Sequence, residues 1–124
     1  MNLDWNRGAL AEGLACYERA EFFAAHEHWE LVWLALHEPE KSFLQALIQM
    51  AAAFHHLQSG NLAGAVSLLT RTSRRLKTCP DRFGGILVAP LRTEVGTWLH
   101  ALENGTSGLP EAKPRIRPAS PQET

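Results

Sequence analysis

The chain lacks a basic excess: its formal net charge is -1, which removes the electrostatic footprint of a dedicated nucleic-acid binder and makes nucleic acid an unexpected partner. It also lacks long apolar runs. Its most hydrophobic stretches, such as FLQALIQMAAAF, are interrupted by Gln and fall short of the roughly 20 residues of a membrane span. The N-terminus, MNLDWNRG, has no positive-then-apolar signal pattern, so no membrane and a cytoplasmic location are expected. Its two cysteines, Cys16 and Cys79, form no CxxC or Cys/His zinc spacing, and reduced thiols are the expectation. No segment alternates with period two, so sheet content should be near nil, and no Gly-rich phosphate loop follows a strand.

With 124 residues and 45% hydrophobic content, the chain is long enough to bury one core without metal or disulfide staples, so any metal would be functional. Helical periodicity predicts five segments. The first covers Arg7 to Glu18, with Leu10, Leu14 and Tyr17 on one face and Gly13 as a weakness. A second, Glu21 to Leu36, stops before Pro39, and a third runs from Glu40 to Ser59 with Gly60 as its C-terminal cap. Asn61 is placed to cap a fourth, ending before Cys79 and Pro80, and CPDRFGG reads as a loop. The fifth opens at Pro90 and closes at Gly105. The expected fold is all-α: a compact bundle of about five helices built from two helix-turn-helix units plus an N-terminal helix. Phe22 with Ala25 recurring forty residues on as Leu62 with Ala65 is the internal echo behind that pairing. Residues 1–104 form the helical domain, and 105–124, Pro-rich and poor in apolar residues, form a flexible, disordered or loosely attached tail.

Within the second segment, AAHEHWE places His and Glu in an otherwise apolar and aromatic run. At about 100° per residue, with His26 at zero, Glu30 lies near 40°, Glu27 near 100° and His28 near 200°, which leaves His28 facing water. Phe22, Phe23, Trp29, Trp33 and Leu34 border the His26/Glu30 stripe. On the third helix Gln45, Gln49 and His56 project within about 40° of one another. A short turn at Pro39 makes the two helices antiparallel neighbours, so the stripes can meet. The candidate ligand pocket is therefore His26, Glu27, Glu30, Gln45, Gln49 and His56, with His26, Glu30 and His56 as candidate ligands for a divalent transition metal. An unpaired buried carboxylate costs several kcal/mol, so such a cluster implies internal pairing, a bound cation or a bound ligand.

Known metal motifs fit poorly. The string His-Glu-His-Trp-Glu differs from the metalloprotease HExxH helix, and no Glu-x-x-His pair of the di-iron type exists among the six His. RTSRRLK, residues 71 to 77, places four cations at the end of the fourth helix, where they complement the helix dipole and solvate an exposed face, or make a local phosphate or RNA contact. No reaction, and no catalytic residue, follows from the sequence. The alternative is a scaffold or interaction module whose polar network is structural, and a homodimer is a partner arrangement left open.

The runs YERAEFFAAHEHWELVW and FLQALIQMAAAFHHLQSGNLAGAVSLLTRTSRRL, then GGILVAPL, resemble the small bacterial and archaeal helical proteins of the domain-of-unknown-function 309 family, from about Tyr17 to about Leu102. The family's Phe-Phe-Glu-Ala-His-Glu-x-x-Glu string falls on Phe22, Phe23, Ala24, Ala25, His26, Glu27 and Glu30, with Ala24 replacing the usual Glu. The resemblance implies an all-helical bundle that sets the signature His and Glu beside the Gln and His of the third helix. It implies no activity.

Overall fold

A computed structural model describes residues 3–105 and 108–119. It is all-helical apart from one minimal hairpin. The helices are α1 (Gly8–Glu18), α2 (Phe22–Trp33), α3 (Glu40–Gln58), α4 (Leu62–Lys77) and α5 (Val88–Glu103). Between α4 and α5, β1 (Arg82–Phe83) pairs antiparallel with β2 (Ile86–Leu87). The intervening Gly84 and Gly85 both have positive φ, 59° and 79°, the backbone that a two-residue turn of right-twisted strands requires. Each helix packs on the next, α1 on α2, α2 on α3, α3 on α4 and α4 on α5.

α3 is the axis of this arrangement. Phe43, Leu44, Ala46, Leu47, Met50 and Ala51 are completely enclosed, and aromatic rings close around them. Trp29 stands edge-on to Trp5 at 6.1 Å and packs on Tyr17 at 6.0 Å, while Phe54 meets Phe22 at 5.5 Å and Trp98 at 5.0 Å. Gly13, a weak helix former by propensity, is a packing requirement: a Cβ there would lie 2.3 Å from Trp29 Nε1. α2 ends three residues earlier than its pattern predicts, at Trp33.

The echo of Phe22/Ala25 in Leu62/Ala65 is a repeated turn. In both copies the N–H two residues past the positive-φ position's predecessor closes the same bond: Glu21 N to Cys16 O at 2.8 Å, and Asn61 N to His56 O at 2.8 Å. The left-handed residue is Ala20 (φ 62°) in one turn and Gly60 (φ 80°) in the other. Ala25 and Ala65 are then buried at matching positions. Asn61 does cap α4, its side chain accepting from Gly64 N at 2.9 Å.

The Pro-rich tail forms no helix, yet residues 108–119 are not free of the bundle. Tyr17 Oη donates to Pro114 O at 2.6 Å and Trp98 Nε1 to Ala112 O at 2.8 Å. Ile116 is buried, and Leu87 N and Ala119 N extend the hairpin onto the tail through Arg117 O and Gly85 O. Arg117 clasps Glu94 at 2.8 Å, and the Arg115 N–H donates to the same carboxylate. The expected flexible segment thus has its middle held by donors on α1, α5 and β2; residues 106–107 and 120–124 lie outside the described residues.

Two outcomes follow. A left-handed alanine costs roughly 1 kcal/mol that glycine avoids, so Ala20→Gly should stabilise by about 0.5–1 kcal/mol and Gly60→Ala should cost about as much, read from urea unfolding. Burial raises the Glu94 carboxyl, but hydrogen bonds from Arg117 and the Arg115 N–H outweigh it and hold the group below its ordinary value of 4.5. A carboxyl depressed in the folded state stabilises above its unfolded pKa and loses that contribution as pH falls through the folded one. Exchange protection of the Arg115 N–H should therefore be full at neutral pH and decline as pH drops below about 4.5, and in Glu94→Gln that decline should vanish.

Candidate functional site

α2 and α3 are antiparallel neighbours, as their short connection requires, so His26 lies opposite Ile48, Gln49 and Ala52. These side chains, with Trp33, Gln45 and Arg71, enclose a cleft of about 320 Å³. One turn apart on α2, His26 Nε2 and Glu30 Oε1 are 2.5 Å apart. The ring is 26% exposed and the carboxylate 51%, so Glu30 sits at the rim and not inside the bundle. The reason is geometric: α2 packs chiefly on α1 and α3, and its remaining side, carrying Glu27, Glu30 and Leu31 and continued by Leu34 at its C-cap, faces outward.

The far edge of the imidazole is different. His26 Nδ1 is enclosed without a hydrogen-bond partner, and so is Trp33 Nε1. The Phe23 ring lies 5.6 Å from the His26 ring, and Lys41 Nζ stands 4.3 Å above the Trp33 ring, a cation–π contact. Enclosing an unpaired donor or acceptor costs about 1–3 kcal/mol, so these two atoms mark a cost the chain itself does not offset.

Gln45 and Gln49 reach the cleft from α3. Gln49, 8% exposed, accepts from Arg75 Nε at 3.2 Å, so its partner comes from α4 and not from α2. The sequence contained a coarser signal, that arginines of α4 lie beside the glutamines of α3. The second turn centres on Gly60, and antiparallel packing about it sets residue 49 opposite 71 and 45 opposite 75. The observed contacts, Thr72 Oγ1 to Ala46 O at 3.1 Å and Arg75 Nε to Gln49, fall within about one turn of that register.

The proposed pocket residues are therefore divided. His26, Glu30, Gln45 and Gln49 come together, whereas Glu27 is exposed and outside the cleft. His56 is elsewhere too, with Asn61 Nδ2 3.0 Å from its Nδ1, where it braces the residue that caps α4. A helical wheel fixes azimuth but not height, and seven residues separate Gln49 from His56 by roughly 10 Å along the axis. The metal set His26, Glu30 and His56 is consequently not assembled. Among the described residues no group of three or more His, Cys, Asp or Glu side chains is placed to hold a metal ion. His28, expected in water, instead reaches Glu12 of α1 at 3.3 Å.

A family model described as Domain of unknown function (DUF309) matches residues 10–68. The chain resembles that family over this stretch, which contains His26, Glu30, Gln45 and Gln49 and ends inside α4 before Arg71. No curated protein matches the chain. Among the described residues no helix is long and apolar enough to cross a membrane.

The unpaired state of Trp33 is open to test against Trp29, which is wholly enclosed and donates to Leu10 O at 3.3 Å. Trp33→Phe removes an unsatisfied donor and should cost under about 1 kcal/mol, while Trp29→Phe leaves a cavity and a lost bond worth roughly 2–3 kcal/mol. Equal losses in urea unfolding would contradict the assignment.

Proposed function

We infer that the chain is a binding protein for a small polar molecule, seated in the cleft where α2, α3 and α4 meet. The observation that carries this reading is the mixed polar lining of the cleft, in which the Glu30 carboxylate, the Gln45 and Gln49 amides and the Arg71 guanidinium border one small recess. Arg71, which has no ion-pair or hydrogen-bond partner among the described residues, supplies a cation at one side, and the Glu30 carboxylate supplies an anion at the other. A ligand with an acceptor group toward Arg71 and a donor toward Glu30 matches that division, and the Gln45 amide can serve either. His26 and Glu30 alone are two ligands, too few for a resident metal of the usual three- or four-ligand kind. No reaction is required by this arrangement.

The scaffold reading rests on a separate feature, the outward face of α2. Phe23, Leu31 and Leu34 are 51%, 66% and 70% exposed there, a surface suited to a protein partner or a second copy.

Native mass spectrometry separates the two readings. The chain isolated from its own cells should carry a small molecule that denaturation releases, and Glu30→Gln combined with Arg71→Ala, both at accessible positions, should be isolated without it. If the natural and altered chains have the same mass inventory, the ligand reading fails. If Leu31→Asp with Leu34→Asp alone removes an associated protein or dissociates a dimer, the scaffold reading replaces it.

A further inference from the structure

We propose that a second, larger cleft, of about 760 Å³ between the start of α3, the end of α4 and the hairpin, binds the phosphate group of a small organic phosphate. Its volume falls in the range of small-molecule sites. One wall is α4, where Arg71, Arg74 and Arg75 fall within one turn and Thr78 follows on the next. Ser42 faces them from α3, and Phe43 and Phe83, edge to face at 5.3 Å, form an apolar base. Apart from Arg71 and Gln49, which border both clefts, this inference does not rest on the reading above.

The ordinary role of cations at a helix C-terminus is filled here by other groups. Arg92 Nε donates to Leu76 O at 3.2 Å and Thr78 Oγ1 to Arg75 O at 2.9 Å, so the last carbonyls of α4 do not call on Arg71 or Arg74. Elsewhere arginines are paired with carboxylates: Arg7 with Asp4, Arg19 with Glu21, Arg92 with Asp81 and Arg117 with Glu94. Arg71 and Arg74 have no hydrogen-bond or ion-pair partner among the described residues, and Arg75 has committed only its Nε, to Gln49. The cleft's one acidic residue, Glu38, is occupied in accepting from Ser42 N at 2.9 Å.

Three guanidinium groups against one carboxylate leave an excess of positive charge in a concave site. A single arginine already satisfies a carboxylate ligand bidentately, whereas a dianionic phosphate takes donors from two or three guanidinium groups. The Phe43 and Phe83 rings offer a surface for a flat apolar portion of the same molecule.

Binding is tested on the full chain with ADP, inorganic pyrophosphate, inorganic phosphate and adenosine, by calorimetry and by mapping amide shifts. ADP and pyrophosphate should bind, phosphate more weakly and adenosine not detectably, with shifts at Ser42, Arg71, Arg74, Arg75 and Thr78. Arg74→Ala, which leaves the smaller cleft intact, should weaken ADP about tenfold, and Arg71→Ala with Arg74→Ala about a hundredfold. Trp33→Phe should leave ADP binding unchanged, which separates this site from the first. No phosphate compound binding at millimolar concentration, shifts located elsewhere, or equal affinity in the folded double variant would overturn the proposal. Tighter binding of single-stranded RNA that grows with its length would replace it with a nucleic-acid surface.

Discussion

The structure depends on the burial of α3. Its enclosed positions, Phe43, Leu44, Ala46, Leu47, Met50 and Ala51, touch neighbours on almost every side, and a fully buried aliphatic or aromatic side chain is worth about 1.5–3 kcal/mol. Ser42, Gln45, Gln49 and Ala52, spaced by three and four residues, form a further stripe along that helix. Both clefts open onto this stripe. Gln49 is tolerated there because α4 packs on α3 and supplies its partner, Arg75.

That seam gives the molecule a polar gradient. At the α2 end, Glu30 brings negative charge to a small recess with two unpaired nitrogens. Toward the α4 end the guanidinium groups of Arg71, Arg74 and Arg75 dominate a wider one. Arg71 borders both recesses, so charge placed in one is felt in the other at short range. The tail is remote from this seam, and its task is structural: it gives Tyr17 and Trp98, both large and buried, acceptors for their polar ends.

Much of this was legible in the residues. Five amphipathic segments, the break at Pro39, the Asn61 cap and the echo between Phe22/Ala25 and Leu62/Ala65 all reflect local rules, and local rules survive folding here. The His26–Glu30 pair and the inward face of Gln45 and Gln49 were legible for the same reason. The rest depended on height and on backbone groups, which periodicity does not encode. His56 shares an azimuth with Gln49 but stands about two turns further along α3. Tail docking uses the carbonyls of Ala112 and Pro114 as acceptors, so no side-chain pattern announces it. Gly13 resembles a weak point in a helix because propensity counts only its own backbone, not the Trp29 ring that needs the space.

The proposed function makes the polar seam of α3 a place for a ligand and not a closed internal network. A crystal structure of the chain purified from its own cells in phosphate-free buffer tests this most directly. The account predicts ordered non-water density against the guanidinium of Arg74 or the cleft faces of His26, Trp33 and Arg71. It would be contradicted by a map in which both clefts hold only water and His26 Nδ1 and Trp33 Nε1 have found partners within the chain.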